Sequence, residues 1–272
     1  MGFFSWLFRR KPKKIKLGLA LGSGGAKGFA ELGVLKAFEE NGVQFDVVAG
    51  TSIGSIIGAA YANGYTSTDI YELLKKVNPS DIANLMMIKM DTSGLFKVVD
   101  DAIGNKNIEE LKKPFAAVAT RTDTGDAQVF KSGKAALAIC ASSSMPPFFK
   151  PVTIDGKTYV DGAFSNSVPA DVVKEMGADY IVGVGLSVRE SKTGVLSKIM
   201  PTFRAKTDAP WENGYAFGNV IIHPDLRGYK AVSFRQDAQM YEIGYRAATD
   251  VMPSVLSEIA ALRKGKKIKK RN

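Results

Sequence analysis

The sequence predicts an α/β fold, a three-layer α/β/α sandwich around a mainly parallel central sheet. Three observations point there. Short apolar runs alternate along the chain with segments of helical spacing. Several of those runs are apolar at consecutive positions, the mark of strands covered on both faces. Glycine-rich turns sit where strand passes to helix.

The elements follow in order. Lys16–Leu21 (KLGLAL) reads as a strand, and Gly22–Gly28 (GSGGAKG) as a flexible turn. Phe29–Glu40 places Leu32, Leu35 and Phe38 at helical spacing, and Asn41-Gly42 stops it. Val43–Ala49 reads as a buried strand and Ile53–Tyr61 as the helix after it. Residues 66–112 read as mostly helical and irregular, with an apolar patch at Leu85-Met86-Met87-Ile88-Lys89-Met90. Phe115–Thr120 and Ala127–Lys131 read as strands, and Ala135–Ala141 as a short helix. Asp155-Gly156-Lys157 is the turn of a hairpin joining Val152–Ile154 to Thr158–Val160. Ala170–Met176 is a helix ended by Gly177, and Ala178–Gly185 and Asn219–His223 are the last strands. Gln236–Ala261 is a long helix with an expected break at Pro253. There is no internal repeat and no Pro/Ser-rich linker, so residues 16–262 form one domain between two tails, 1–15 and 263–272.

The net charge of +10 lies in those tails. Residues 1–16 carry six bases and no acid, and residues 263–272 carry seven and no acid, which leaves −3 for residues 17–262. A nucleic-acid-binding domain usually carries its charge on a folded face, so no specific nucleic-acid partner is expected. The first tail puts Phe3, Phe4, Trp6, Leu7 and Phe8 ahead of its bases, the reverse of a signal peptide. It is also shorter than the about 20 apolar residues that span a bilayer. An aromatic wedge beside a polybasic patch, at about 1 kcal/mol per base, suits an anionic membrane surface; a solubilising tail is the alternative. The single cysteine, Cys140, rules out an intramolecular disulfide, fits a reducing cytoplasm, and reads as a small buried side chain.

Gly50-Thr51-Ser52-Ile53-Gly54 has the G-x-S-x-G pattern of a nucleophile elbow, here between a strand and a helix. In such an elbow the serine is strained and exposed, and Gly50 and Gly54 avoid collisions. Acyl transfer then needs a base and an oxyanion hole. The only histidine, His223, ends a strand before Pro224 and reads as structural, so the base falls to a carboxylate. Asp161, leaving a strand into Gly162-Ala163, is the candidate; the same tripeptide also suits a plain turn. The Gly22–Gly28 turn can point successive N–H groups at one oxygen, with Gly22, Gly24 and Gly25 as donors. It matches neither G-x-G-x-x-G nor the Walker pattern, so it is not read as a nucleotide loop. One histidine and one cysteine make a zinc site implausible, and no metal or cofactor is expected.

These pieces, in this order, resemble the patatin-like phospholipase family. LGSGGAKG with FAELGVL is similar to its glycine-rich oxyanion loop and first helix, GTSIG to its nucleophile elbow, and DGAFSNSVPA to its catalytic Asp-Gly segment. ASSSMPPFFKPV resembles a further hallmark of the family. The resemblance runs from about Lys16 to Leu186 and more weakly to His223. Ser23 departs from it, standing where the family commonly has the first glycine of the oxyanion pattern, so Gly24 and Gly25 are the preferred donors. The family implies a Ser-Asp dyad, which agrees with the single histidine. Ser52 would attack a fatty-acyl ester and Asp161 would take its proton and later activate water. An ordinary Asp, with a pKa of about 3.9, is a weak base at pH 7, so the hole and the elbow must carry much of the rate. The implied substrate is a phospholipid or lysophospholipid; the single cysteine and the basic, aromatic first tail point to the cytoplasm, peripheral on the inner face of the membrane. A lipid-binding regulator on the same fold, an acyltransferase and a small-ester esterase are the alternatives. Lys27 reads equally as a headgroup contact or a solvated lysine, and residues 85–90 equally as a lid, an interfacial surface or core.

Overall fold

The computed structural model describes residues 14–76, 92–186 and 212–268. The apolar patch at residues 85–90 and the aromatic wedge of the first tail lie outside the described residues.

Among the described residues the sheet contains eight strands. They are β1 (Leu17–Leu21), β2 (Val47–Thr51), β3 (Phe115–Arg121), β4 (Ala127–Phe130), β5 (Val152–Ile154), β6 (Lys157–Asp161), β7 (Tyr180–Val184) and β8 (Val220–Ile222). The hydrogen-bonded path runs β5-β6-β3-β2-β1-β7-β8, with β4 also on β3. The pairs among β3, β2, β1, β7 and β8 are parallel, while β4, β5 and β6 pair antiparallel. The sheet is therefore mixed, with a parallel centre. The second expected strand starts later than its apolar run suggests. Val43 and Phe45 are buried ahead of β2, and the Val43 N–H turns back to the Phe38 carbonyl.

Helices cover both faces because the strand side chains alternate. Leu17, Leu19, Leu21, Val48, Ala117 and Val182 point into a large core. It is shared with α1 (Phe29–Glu40), α2 (Ile53–Asn63), α3 (Ser67–Lys76), α4 (Ser93–Ile103) and α5 (Ala135–Ser142). Ala20, Val47, Ala49, Val118 and Ile181 point the other way, onto α6 (Ala170–Glu175). A short α7 (Glu212–Tyr215) precedes β8. The last helix, α8 (Asp237–Arg263), runs unbroken through Pro253. Pro253 and Thr249, whose carbonyl loses its partner, are both exposed, so water can replace the missing bond. α8 lies against α1 at a glycine crossing. A Cβ on Gly33 would sit 1.9 Å from the Tyr241 carbonyl oxygen, and one on Gly244 1.9 Å from that of Ala30.

One detail of register positions the site. Residues 117 and 118 of β3 pair with both β2 and β4, and residues 119 and 120 with both β4 and β6. A residue has only two edges, so β2 and β6 follow one another along the same edge of β3. Thr51 stands opposite Val118, and Asp161 stands opposite the next residue, Ala119. The end of β2 therefore abuts the end of β6, with the β5–β6 hairpin set by a tight turn at Asp155 (φ 49°) and Gly156 (φ 72°).

Candidate active site

The site forms where the parallel strands end, the usual place for chemistry in an open α/β sheet. Ser52 is the residue between β2 and α2, at φ 56° and ψ −125°. Positive φ is uncommon for a residue with a side chain and marks a strained turn held by its surroundings. The surroundings are specific. The Ser55 N–H and hydroxyl both donate to the Ser52 carbonyl, at 2.8 and 2.7 Å. The Ser52 N–H donates to the Ser142 hydroxyl oxygen at 2.9 Å, and that hydroxyl donates to the Val118 carbonyl at 2.6 Å. Gly50 and Gly54 are where the elbow is tightest. A Cβ on Gly50 would lie 2.1 Å from the Gly54 carbonyl oxygen, and one on Gly54 would lie 2.4 Å from that of Leu21. The second contact lets α2 start directly against the end of β1.

The Ser52 hydroxyl donates to Asp161 Oδ2 at 2.6 Å. Asp161 is fully buried, and its Oδ1 accepts the Ala163 N–H at 2.8 Å. Its backbone is pinned too: the N–H donates to the Ser144 carbonyl and the carbonyl accepts the Thr120 hydroxyl. Gly162 follows because a Cβ there would stand 2.2 Å from the Val118 carbonyl oxygen. The carboxylate thus accepts from the Ala163 backbone and faces the Ser52 hydroxyl, a pairing suited to nucleophilic activation.

The glycine turn lies beside the elbow. The Ser23 N–H donates to the Ser167 carbonyl at 3.0 Å, the Ala26 N–H to that of Ala231 at 2.7 Å, and the Lys27 N–H to that of Gly24 at 3.2 Å. The expected donor Gly22 directs its N–H elsewhere, to Glu31 Oε1 at 2.7 Å. Among the described residues, no partner accepts the N–H groups of Gly24 and Gly25, the two successive amides between the engaged ones. Gly25 has φ +57°, and a Cβ there would lie 2.4 Å from the Ala231 carbonyl oxygen, so only glycine fits. Lys27 is half-buried.

His223 lies elsewhere. It is exposed at the end of β8 and packs edge-on against Tyr215, ring centroids 5.2 Å apart. Cys140 is buried, and burial pushes its thiol up to about 12, against a weaker opposing bond to the Thr92 carbonyl. Among the described residues, no three His, Cys, Asp or Glu side chains gather as a metal site would need, and no helix is long and apolar enough to cross a membrane.

The structure brings Ser52 and Asp161 into contact, sets Gly50 and Gly54 at the elbow, and packs the turn that carries Gly24 and Gly25 against that elbow at Gly22 and Gly28. Sequence reasoning missed Ser142, Ser55 and Glu31. The serine run at 142–144 sits inside a quoted motif, yet which hydroxyl faces the elbow depends on the packing of α5. Glu31 reads as an ordinary first-turn acid.

The family model for patatin-like phospholipases matches residues 19–174, a span that includes the glycine turn, the elbow and Asp161. Lysophospholipase NTE1 of Coccidioides immitis is 32% identical over 94% of this chain, which spans 19% of that protein. Patatin-like phospholipase domain-containing protein 6 of mouse is 31% identical over 85% of this chain, spanning 20% of that protein. An uncharacterized NTE family protein of Mycobacterium bovis is 31% identical over 65% of this chain and 50% of its own length. The chain thus spans half or less of these relatives. In fold it is similar to VipD from Legionella pneumophila, with a TM-score of 0.52 at 13% identity over 89% of this chain and 67% of that one. With the family model covering more than half of the sequence, the chain belongs to the patatin-like phospholipase family.

Proposed function

We propose that this protein is a serine acyl hydrolase of phospholipids or lysophospholipids, acting through a Ser52–Asp161 dyad and an acyl-enzyme. The observation that carries the reading is the 2.6 Å hydrogen bond from a hydroxyl on a strained elbow to a buried carboxylate. Ser52 Oγ attacks the ester carbonyl carbon while its proton passes to Asp161 Oδ2. The carbonyl oxygen becomes an oxyanion in front of the Gly24 and Gly25 N–H groups, which are fixed before the charge develops and need no reorganisation. The tetrahedral species collapses, and the leaving alcohol departs with the proton held by Asp161. Water then attacks the acyl-enzyme, giving its proton to Asp161, and the fatty acid leaves as Ser52 recovers its hydrogen. The family and the names of the lysophospholipase relatives favour a lipid ester over other acyl groups.

The basic, aromatic residues 1–16 suit a peripheral position on an anionic cytoplasmic leaflet. One set of vesicle experiments tests both parts. Fatty-acid release from phosphatidylcholine and lysophosphatidylcholine is compared for wild type and Ser52→Ala. Release by wild type and none by the variant is expected; equal release by both would refute the dyad. Removing residues 1–14 should weaken sedimentation with anionic vesicles and spare hydrolysis of a soluble ester. Unchanged sedimentation would exclude the tail as the anchor.

A further inference from the structure

We infer that Glu31 is a positioning residue for the oxyanion turn, holding the Gly22 amide and thereby setting where the Gly24 and Gly25 N–H groups point. The inference rests on the reading of that turn as the oxyanion hole.

The turn is rich in glycine, with Gly22, Gly24, Gly25 and Gly28 in seven residues, so its own backbone preferences do not define its shape. Its shape comes from outside contacts. Ser23 is tied to Ser167 and Ala26 to Ala231, which are braces from other segments. Glu31 is the brace that closes the turn on itself: its bond to Gly22 joins the end of β1 to the first turn of α1. Gly22 is wedged in place as well, since a Cβ there would be 2.5 Å from the Val184 carbonyl oxygen.

Glu31 is not placed for helix stability. It is the third residue of α1, where a capping glutamate reaches back to the N-cap amide. Here the N-cap is Gly28, which receives no side-chain bond, and Glu31 reaches past it to β1. The side chain is fully buried, and its Oε2 has no hydrogen-bond partner among the described residues. Burying a carboxyl for one hydrogen bond is costly. An apolar residue would pack the same space but would leave the Gly22 amide without an acceptor. Burial pushes the Glu31 carboxyl well above the usual range, against the lesser opposing pull of the Gly22 N–H. A neutral acceptor therefore suffices, and glutamine should replace it.

The test measures kcat and KM on a soluble ester for wild type, Glu31→Gln, Glu31→Met, Glu31→Asp and Ser52→Ala, with thermal melts alongside. Methionine keeps the length and loses the acceptor. A misplacement of about 1 Å can cost about 100-fold in rate. Glu31→Met should therefore lose about 10- to 100-fold in kcat with KM within about threefold, and Glu31→Gln should stay near wild type. Unchanged kcat in folded Glu31→Met, or a rise in KM alone, overturns the proposal. If Glu31→Met does not fold, Glu31→Asp decides, because its carboxyl stops one methylene short of Gly22. A kcat loss in that variant, with glutamine active, supports positioning; equal rates overturn it. Full activity in Ser52→Ala would overturn the serine reading and this inference with it, whereas an inert Ser52→Ala beside an active Glu31→Met overturns this inference alone.

Discussion

Asp161→Asn separates the chemistry of the site from its architecture. The direction in which the new amide turns can be worked out from two bonds. Oδ1 of Asp161 accepts the Ala163 N–H, and Oδ2 accepts the Ser52 hydroxyl. Only an oxygen can accept from Ala163, so the asparagine oxygen takes that side and its NH2 faces Ser52 Oγ. The hydroxyl loses its acceptor and meets a donor, so the carboxylate that faced its proton is gone. A positioned base contributes about 10²- to 10⁴-fold, so kcat on p-nitrophenyl butyrate should fall by that factor, or about 2.7–5.4 kcal/mol of barrier. The fold should not suffer. The variant is isosteric, keeps the Ala163 bond, and removes a carboxylate from a fully buried position, so its melting temperature should equal or exceed that of wild type. A kcat within about threefold of wild type would refute the assignment of Asp161 as base. A large loss of melting temperature would refute the argument from geometry.

Further outcomes follow from close contacts and from burial. Gly54→Ala would put a Cβ 2.4 Å from the Leu21 carbonyl oxygen, where ordinary contact begins at 3.4 Å, so the elbow must retreat from the turn. That displacement should lower kcat by about 100-fold, and an unaltered rate in a folded variant would show that the approach is not needed. Gly244→Ala would place a Cβ 1.9 Å from the Ala30 carbonyl oxygen and force α8 off α1. Urea unfolding should record a loss of at least about 1–3 kcal/mol, and an unchanged midpoint would contradict the crossing. Glu31 makes stability depend on pH. Below its ordinary value of 4.5 the carboxyl is protonated in both states; above it the unfolded chain releases the proton while the folded one, whose pKa is raised, retains it. Stability is therefore lost as pH climbs from there towards the folded pKa, by up to about 1.4 kcal/mol per pH unit. Glu31→Gln should match wild type near pH 4 and surpass it as pH rises above 4.5; parallel curves would refute the buried, protonated state.

What could be read in advance depended on whether a constraint was local. The elbow was legible because Ser52 and Gly50 answer to their own backbone, with one positive φ and one approach to the Gly54 carbonyl oxygen, whereas the tight fit of Gly54 against Leu21 of β1 arises only in the fold. The hairpin before Asp161 was legible from Asp155-Gly156 for the same reason. The parallel centre of the sheet followed from its continuously apolar strands. The onset of β2 was not legible, since Val43 and Phe45 are buried without being in the sheet, and apolarity reports burial rather than pairing. The expected break at Pro253 failed because the affected turn faces water. The role of Gly22 was misread because its amide is claimed by a side chain nine residues away, and the partner of the Ser52 amide, Ser142, lies ninety residues away. Such pairings exist only once the sheet and helices have assembled.

The shared edge of β3 has a consequence for motion. Ser52 and Asp161 hang from neighbouring rungs of one ladder, so thermal shear of the sheet carries them together and leaves their separation nearly constant. The glycine turn hangs from a different strand, β1, and is steadied by two segments from elsewhere, at Ser167 and Ala231, and by Glu31 of the helix that follows it. On the proposed roles, the separation of nucleophile from base is thus set along one strand, and that of nucleophile from oxyanion turn by the packing of several segments.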